Sequence, residues 1–229
     1  MINDDECTTA ASDRGRRCCC RLPRSAPHRT VLGVVTWYLW QAVVAPAHHR
    51  FTFDDYLRVE EDSVIRHEFL DGRIWAMAGG SPEHARICAN VITLLNVALR
   101  TRPCSVYTTD LRIRVRATGL ATYPDVSVIC GRPELDPADP KRHTALNPKL
   151  LVEVLSPSTE EYDRGEKFEN YQQIESLEEV MFVHHDERKV AVWRRIGPSW
   201  EATEYADGVI PLALGCELSV AAIYRDPLA

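Results

Sequence analysis

The stretch Leu150-Leu151-Val152-Glu153-Val154-Leu155-Ser156-Pro157-Ser158-Thr159 constrains the fold of this chain more than any other. An apolar run rich in branched side chains and stopped by Ser-Pro reads as a buried strand. It nevertheless carries an acid in its middle. Burying a lone carboxylate costs on the order of several kcal/mol unless a cation or hydrogen-bond donors offset it. Glu153 therefore needs a partner. A second strand, Tyr123-Pro124-Asp125-Val126-Ser127-Val128-Ile129-Cys130, offers one, with Asp125 just inside its start. Side chains alternate along a strand, so Asp125, Ser127 and Ile129 share one face of theirs, and Leu151, Glu153 and Leu155 one face of the other. If the two strands are neighbours, their carboxylates converge where a divalent metal would neutralise them. Either acid alone fits a helix cap, a turn or a salt bridge. The pair argues for a metal site.

A helix from about Glu160 to Glu175 follows directly, and its Asp163, Lys167 and Tyr171 repeat every four residues, so they share a helix face. A lysine placed over the end of the Glu153 strand could hold a nucleophilic water and offset charge on a phosphate. The plainer alternative is a solvated lysine on an amphipathic helix. Lysine is scarce in this chain (Lys141, Lys149, Lys167 and Lys189 are the whole set), which gives this one more weight.

The remaining elements follow from local signals. Thr52 can cap a short helix through Asp54, Asp55 and Leu57. His67 to Met77 reads as two strands around Asp71-Gly72, a strong hairpin signal. Ser81 caps and Pro82 opens the clearest helix, whose apolar stripe is Ile87, Val91, Leu94, Leu95 and Ala98, and Pro103 ends it. Val106 to Val115 alternates Leu111, Ile113 and Val115 against Arg112, Arg114 and Arg116, and predicts a half-exposed strand with an arginine face. Gly131 to Pro148 has four prolines and no periodicity, so a long functional or mobile loop is expected. Val180–Val183 and Val190–Trp193 predict a second hairpin, and the tail to Ala229 offers only faint strand signals. From Ser81 onward the order is helix, three strands, helix, strand: an α/β (α+β) layout with a mixed central sheet.

A formal charge of −6 excludes a molecule that binds nucleic acid through overall basicity, though an acidic metal cleft needs only a local basic rim. Of eight cysteines, Cys7, Cys18, Cys19 and Cys20 lie near the start, and Cys88, Cys104, Cys130 and Cys216 are scattered. No CxxC pair occurs; Cys88 and Cys130 read as small hydrophobes in apolar runs, and a reducing cytoplasm is the simpler setting. Arg and Ala richness suggests a bacterial source. Residues 1–43 differ from the rest, being basic and Cys-rich, then apolar around Trp37 and Trp40. Three readings stand for them: a start that truly lies at Val43 or Val44, a disordered or packed extension, or an export signal ending near Ala45-Pro46-Ala47. Residues 44–229 are expected to form one domain with its core at about 51–195.

The chain resembles the Uma2 (DUF820) group of restriction-endonuclease-like proteins within the PD-(D/E)xK nuclease superfamily. The resemblance is carried by Phe53-Asp54-Asp55-Tyr56-Leu57, His67 through Gly72, Met77 through His84, Pro124 through Val128, Leu151 through Thr159, and Asp163, Lys167 and Tyr171. It spans about Pro46 to Trp193. It implies a restriction-endonuclease-like αβββαβ core with an N-terminal and a C-terminal hairpin, and hydrolysis of DNA phosphodiesters with Mg²⁺ or Mn²⁺. In that reading Asp125 and Glu153 ligate the metal and Lys167 is catalytic. Glu68 matches the family's acid in the N-terminal hairpin and His84 its histidine at the helix start. One departure matters: the position two after the glutamate, where the superfamily has lysine, is Leu155. Lys167 would then be a migrated lysine. Arg112, Arg114 and Arg116 are candidate phosphate contacts. DNA is the expected partner, a homodimer is allowed, and no membrane is involved. The competing class is a catalytically silent module of the same fold that binds or regulates without cleaving.

Overall fold

Ser81 and Pro82 begin a helix as the sequence predicts: the Ser81 side chain accepts from the His84 amide, and Pro82 holds the first helical position, where no N–H is needed. In the computed structural model, which describes residues 50–228 other than Ala78 and Ser158, the elements are as follows. A capped helix α1 (Phe53–Asp62) leads to the hairpin β1 (His67–Leu70) and β2 (Arg73–Ala76), then to α2 (Pro82–Leu99). Strands β3 (Cys104–Thr108), β4 (Arg112–Arg114), β5 (Ala121–Thr122), β6 (Val126–Cys130), β7 (Thr144–Ala145) and β8 (Leu150–Leu155) come next. A broken helix, α3 (Glu160–Tyr162), a π-turn (Asp163–Lys167) and α4 (Phe168–Tyr171), precedes β9 (Glu179–His184). The chain closes with β10 (Val190–Ile196), β11 (Ser199–Tyr205), β12 (Val209–Leu212), β13 (Cys216–Ser219) and α5 (Val220–Ile223). The readings made of residues 1–43 lie outside the described residues.

The main sheet has the order β11-β10-β9-β8-β6-β3; β8 pairs antiparallel with β6 and parallel with β9. All six residues of β8 are buried because both faces of the sheet are covered. Alternation divides them. Leu150, Val152 and Val154 join Val126, Val128 and the α2 stripe Ile87, Val91, Leu95 and Leu99 in one core, and Leu151 and Leu155 join Ile129, Phe168, Tyr171 and Phe182 in the other. Each such aliphatic or aromatic side chain contributes about 1.5–3 kcal/mol when fully buried. The order α2–β3–β6–β8–broken helix–β9 is the αβββαβ core expected. A second sheet, β2-β1-β5-β4-β7, carries the N-terminal hairpin, turned by Asp71 and Gly72 at φ 55° and 76°.

Several expectations need correction. Val106 to Val115 is two strands in different sheets, β3 and β4, separated by the turn at Thr109 and Asp110. The arginine face is not a face: Arg112 is buried, its guanidinium bonded to Thr144, paired with Asp139 and lying over the Tyr56 and Tyr123 rings. Arg112 is therefore withdrawn as a phosphate contact. Arg114 pairs with buried Asp136 and covers Phe53; Arg116 stays exposed beside Glu134. The 131–148 segment is anchored rather than loose, since β7 joins the second sheet and Asp136 and Asp139 hold those arginines. The helix after Thr159 breaks at Gly165, whose backbone is non-helical, and ends at Tyr171, short of Glu175. The tail includes a seven-residue strand, β11. Cys130 is not a free thiol: it faces Cys104 across β3 and β6 in a disulfide. In a reducing compartment the same register would leave two facing thiols. No helix among the described residues is long and apolar enough to cross a membrane.

Candidate active site

The β6–β8 register runs Val126 against Val152, so one more step places Asp125 opposite Glu153 at the end of the pair. The two acids are held differently. Asp125 Oδ2 accepts the Val154 amide at 2.7 Å, a bond across the strand pair, and lies 3.2 Å from His84 Nε2 at the start of α2. The hydrogen bond that the His84 ring donates to Asp125 raises the imidazole above its usual pKa against the cost of partial burial. Glu153 Oε1 accepts the Tyr171 hydroxyl at 2.5 Å and lies 3.1 Å from Lys167 Nζ. None of these bonds uses Asp125 Oδ1 or Glu153 Oε2.

Lys167 is the centre of the cluster. Its ammonium is buried and meets Glu68 at 3.1 Å, Glu153 at 3.1 Å and Asp163 at 3.2 Å. The chain kinks at Gly165, between Asp163 and Lys167, and the two side chains still meet, while Tyr171 reaches Glu153 from the next turn. Glu68, on β1, also accepts the Thr122 hydroxyl from β5 in the strand alongside. Burial, opposed by Lys167 and reinforced by Asp163 and Asp125, pushes the Glu153 carboxyl up to about 8. Lys167, despite the cost of its burial, is held well above the usual ammonium value by Glu153, Tyr171, Glu68 and Asp163.

All five residues given a catalytic or metal-binding role from the sequence, Glu68, His84, Asp125, Glu153 and Lys167, line one cleft of about 510 Å³. Its walls are the β1–β2 hairpin, the Gly79–Gly80 loop, the start of α2, the end of β8 and the broken helix. Gly80 lies against the His84 ring: a Cβ there would come 2.8 Å from Nδ1. A second cleft, of about 600 Å³ with Arg114, Arg116 and Gln173 in its lining, contains none of the five. Sequence reasoning missed Thr122, which had no local signal, and Tyr162, whose buried hydroxyl faces Glu68 and whose ring lies edge-on to Trp75 and beneath Lys167. It also gave Tyr171 no task of its own, although the four-residue spacing from Lys167 was visible.

Four carboxylates, Glu68, Asp125, Glu153 and Asp163, thus face one ammonium and one imidazole. The donor set is oxygen-rich and carries more negative charge than Lys167 offsets. That fits a hard divalent cation.

Comparison with known proteins gives consistent findings. A family model named Uma2, with the description "putative restriction endonuclease", matches residues 53–222. Two uncharacterised proteins of Synechocystis sp. are similar: one is 36% identical over 176 residues, covering 75% of this chain and 90% of the relative. The other is 31% identical over 154 residues, covering 67% and 86%. A crystal structure described as a "putative nuclease belonging to DUF820", from Anabaena variabilis, superposes with a TM-score of 0.63 at 19% identity, covering 76% of this chain and 97% of that one. At that identity the likeness speaks for the fold.

Proposed function

The chain belongs to the Uma2 family, and on that premise we propose that it is a metal-dependent endonuclease hydrolysing phosphodiester bonds in DNA. The observation that carries the reading is the meeting of Asp125, Glu153 and Lys167 in one acidic cleft. Asp125 and Glu153 would hold Mg²⁺ or Mn²⁺, both of which favour oxygen ligands. Once bound, the ion would lower the pKa of a water and stabilise charge on the scissile phosphate.

The chain's own residues do the rest. The Val154 amide and His84 fix the Asp125 carboxylate, and Tyr171 fixes that of Glu153. Lys167 acts as the migrated lysine: Leu155, in the superfamily's lysine position, is buried in the core, and the Lys167 ammonium reaches the Glu153 carboxylate from the π-turn. There it would orient the attacking water and offset charge in the transition state. Glu68 and Asp163 keep that ammonium protonated and in place. Arg116, exposed, is the remaining candidate for a backbone phosphate, with half-buried Arg114 behind it. A homodimer would present two such clefts to a duplex.

One observation favours the second reading, a silent binding module: Lys167 is buried and pairs with three acids. A nicking assay on supercoiled plasmid separates the two. Nicking that needs Mn²⁺ or Mg²⁺, stops with chelator and is lost in Asp125→Ala supports the nuclease. Absence of nicking by a folded, metal-loaded protein that still binds DNA supports the module.

A further inference from the structure

We propose that His84, Cys88 and Asp125 form a site for a thiophilic divalent cation of the zinc class, which shares Asp125 with the all-oxygen pair. His84 and Cys88 are one turn apart on α2 and so project from the same face. Cys88 Sγ lies 3.6 Å from His84 Nδ1. Two ligands of one tetrahedral zinc, with bonds of roughly 2.3 Å to sulfur and 2.0 Å to nitrogen, stand roughly 3.5 Å apart. The pair already has that spacing. Asp125 supplies a third donor from the sheet, and one ligand atom from each of the three lies within 4.8 Å of the other two. Asp125 now faces the other ring nitrogen, Nε2, so the imidazole or the carboxylate must turn to bring all three donors onto one ion, with water from the cleft in the fourth position. Gly80 packs against the Nδ1 edge of the ring, where any side chain would press on it.

The same three residues also resemble a thiol–imidazole–carboxylate relay, but the chemistry of Cys88 opposes that role. Burial first, then the charges of Asp125 and Glu153, push its thiol well above the ordinary value, the reverse of what a nucleophilic cysteine needs. A soft cation overrides this: a coordinating thiol loses its proton to solvent as the metal–sulfur bond forms. Occupation of the site draws Asp125 away from Glu153, so a zinc-class ion inhibits the nuclease. That consequence rests on the function proposed above; binding itself does not.

The probe is Co²⁺, added to the full-length chain with Cys7, Cys18, Cys19 and Cys20 replaced by serine so that those thiols do not compete. The expected result is a thiolate-to-cobalt charge-transfer band that saturates at one ion per chain. It is lost in Cys88→Ser, weakened at least tenfold in apparent affinity in His84→Ala, and retained in Cys216→Ser and Glu153→Gln. If Cys88→Ser lowers the melting temperature, Cys88→Ala, which removes the ligand without adding a polar group, carries the same comparison. A band that survives both Cys88 substitutions, or no band in the parent, overturns the site. Glu153→Gln separates this result from the fate of the nuclease reading. If the cobalt band persists there while Mn²⁺ binding is lost, both stand; if Mn²⁺ binding is unchanged, the oxygen pair alone is wrong.

Discussion

Lys167 shows how a single residue can be placed by sequence while its energetics are not. The four-residue spacing put it beside Asp163 and Tyr171, but only the fold shows that its ammonium also neutralises Glu68. Removing it leaves three buried acids without their cation, so Lys167→Met should cost about 3–5 kcal/mol in urea unfolding. Adding Glu68→Gln should recover part of that, whereas an unchanged midpoint would mean the cluster is solvated. In a folded sample the same change should lower cleavage on the order of 10²-fold. Glu153 gives a pH signature. The unfolded chain loses this proton near the usual carboxylate value of 4.5, the native state only near 8. Between those values the native state binds more protons, so metal-free stability should fall as pH rises through the window and level off above it. Lys167 stays charged throughout and adds no slope. Saturating Mn²⁺, which needs the ionised carboxylate, should flatten the profile; a metal-free stability that rises from pH 5 to 8 would contradict the assignment.

At the scale of elements, what was legible had a local cause. The Asp71-Gly72 turn, the Ser81-Pro82 helix start and the alternation of β8 each follow from a few adjacent residues, and all are present. What was not legible depends on distant partners. Nothing in Arg112-Ile113-Arg114 announces that Asp136 and Asp139, more than twenty residues on, will bury and pair those guanidiniums. The break at Gly165 was likewise hidden, because the apolar and charged spacing on either side continues the helical pattern. The hairpin offers a test of how elements support the site. Gly72 has φ 76°, and a Cβ there would come 2.8 Å from Arg50 Cβ. Gly72→Ala should therefore cost more than about 1 kcal/mol. Because β1 carries Glu68, amide exchange should accelerate first in β1 and β2. Uniform acceleration across β8 and β9 would show that the hairpin is not a separable support.

For the whole molecule, the acidic balance of the sequence and the acidic cleft point the same way. A chain of net charge −6 that places four carboxylates around one cleft carries a local excess of negative charge, which a divalent cation would relieve. The αβββαβ core supplies the geometry, because an antiparallel β6–β8 pair brings Asp125 and Glu153 to the same end, and the helix that follows β8 returns Lys167 over it. The central claim is that these two acids hold one hard ion together. Titration calorimetry of Mn²⁺ into the wild-type chain, Asp125→Asn and Glu153→Gln tests it most directly. The account predicts stoichiometric binding by the wild type and a loss of affinity of at least tenfold in each folded variant. Undiminished affinity in either folded variant would contradict it.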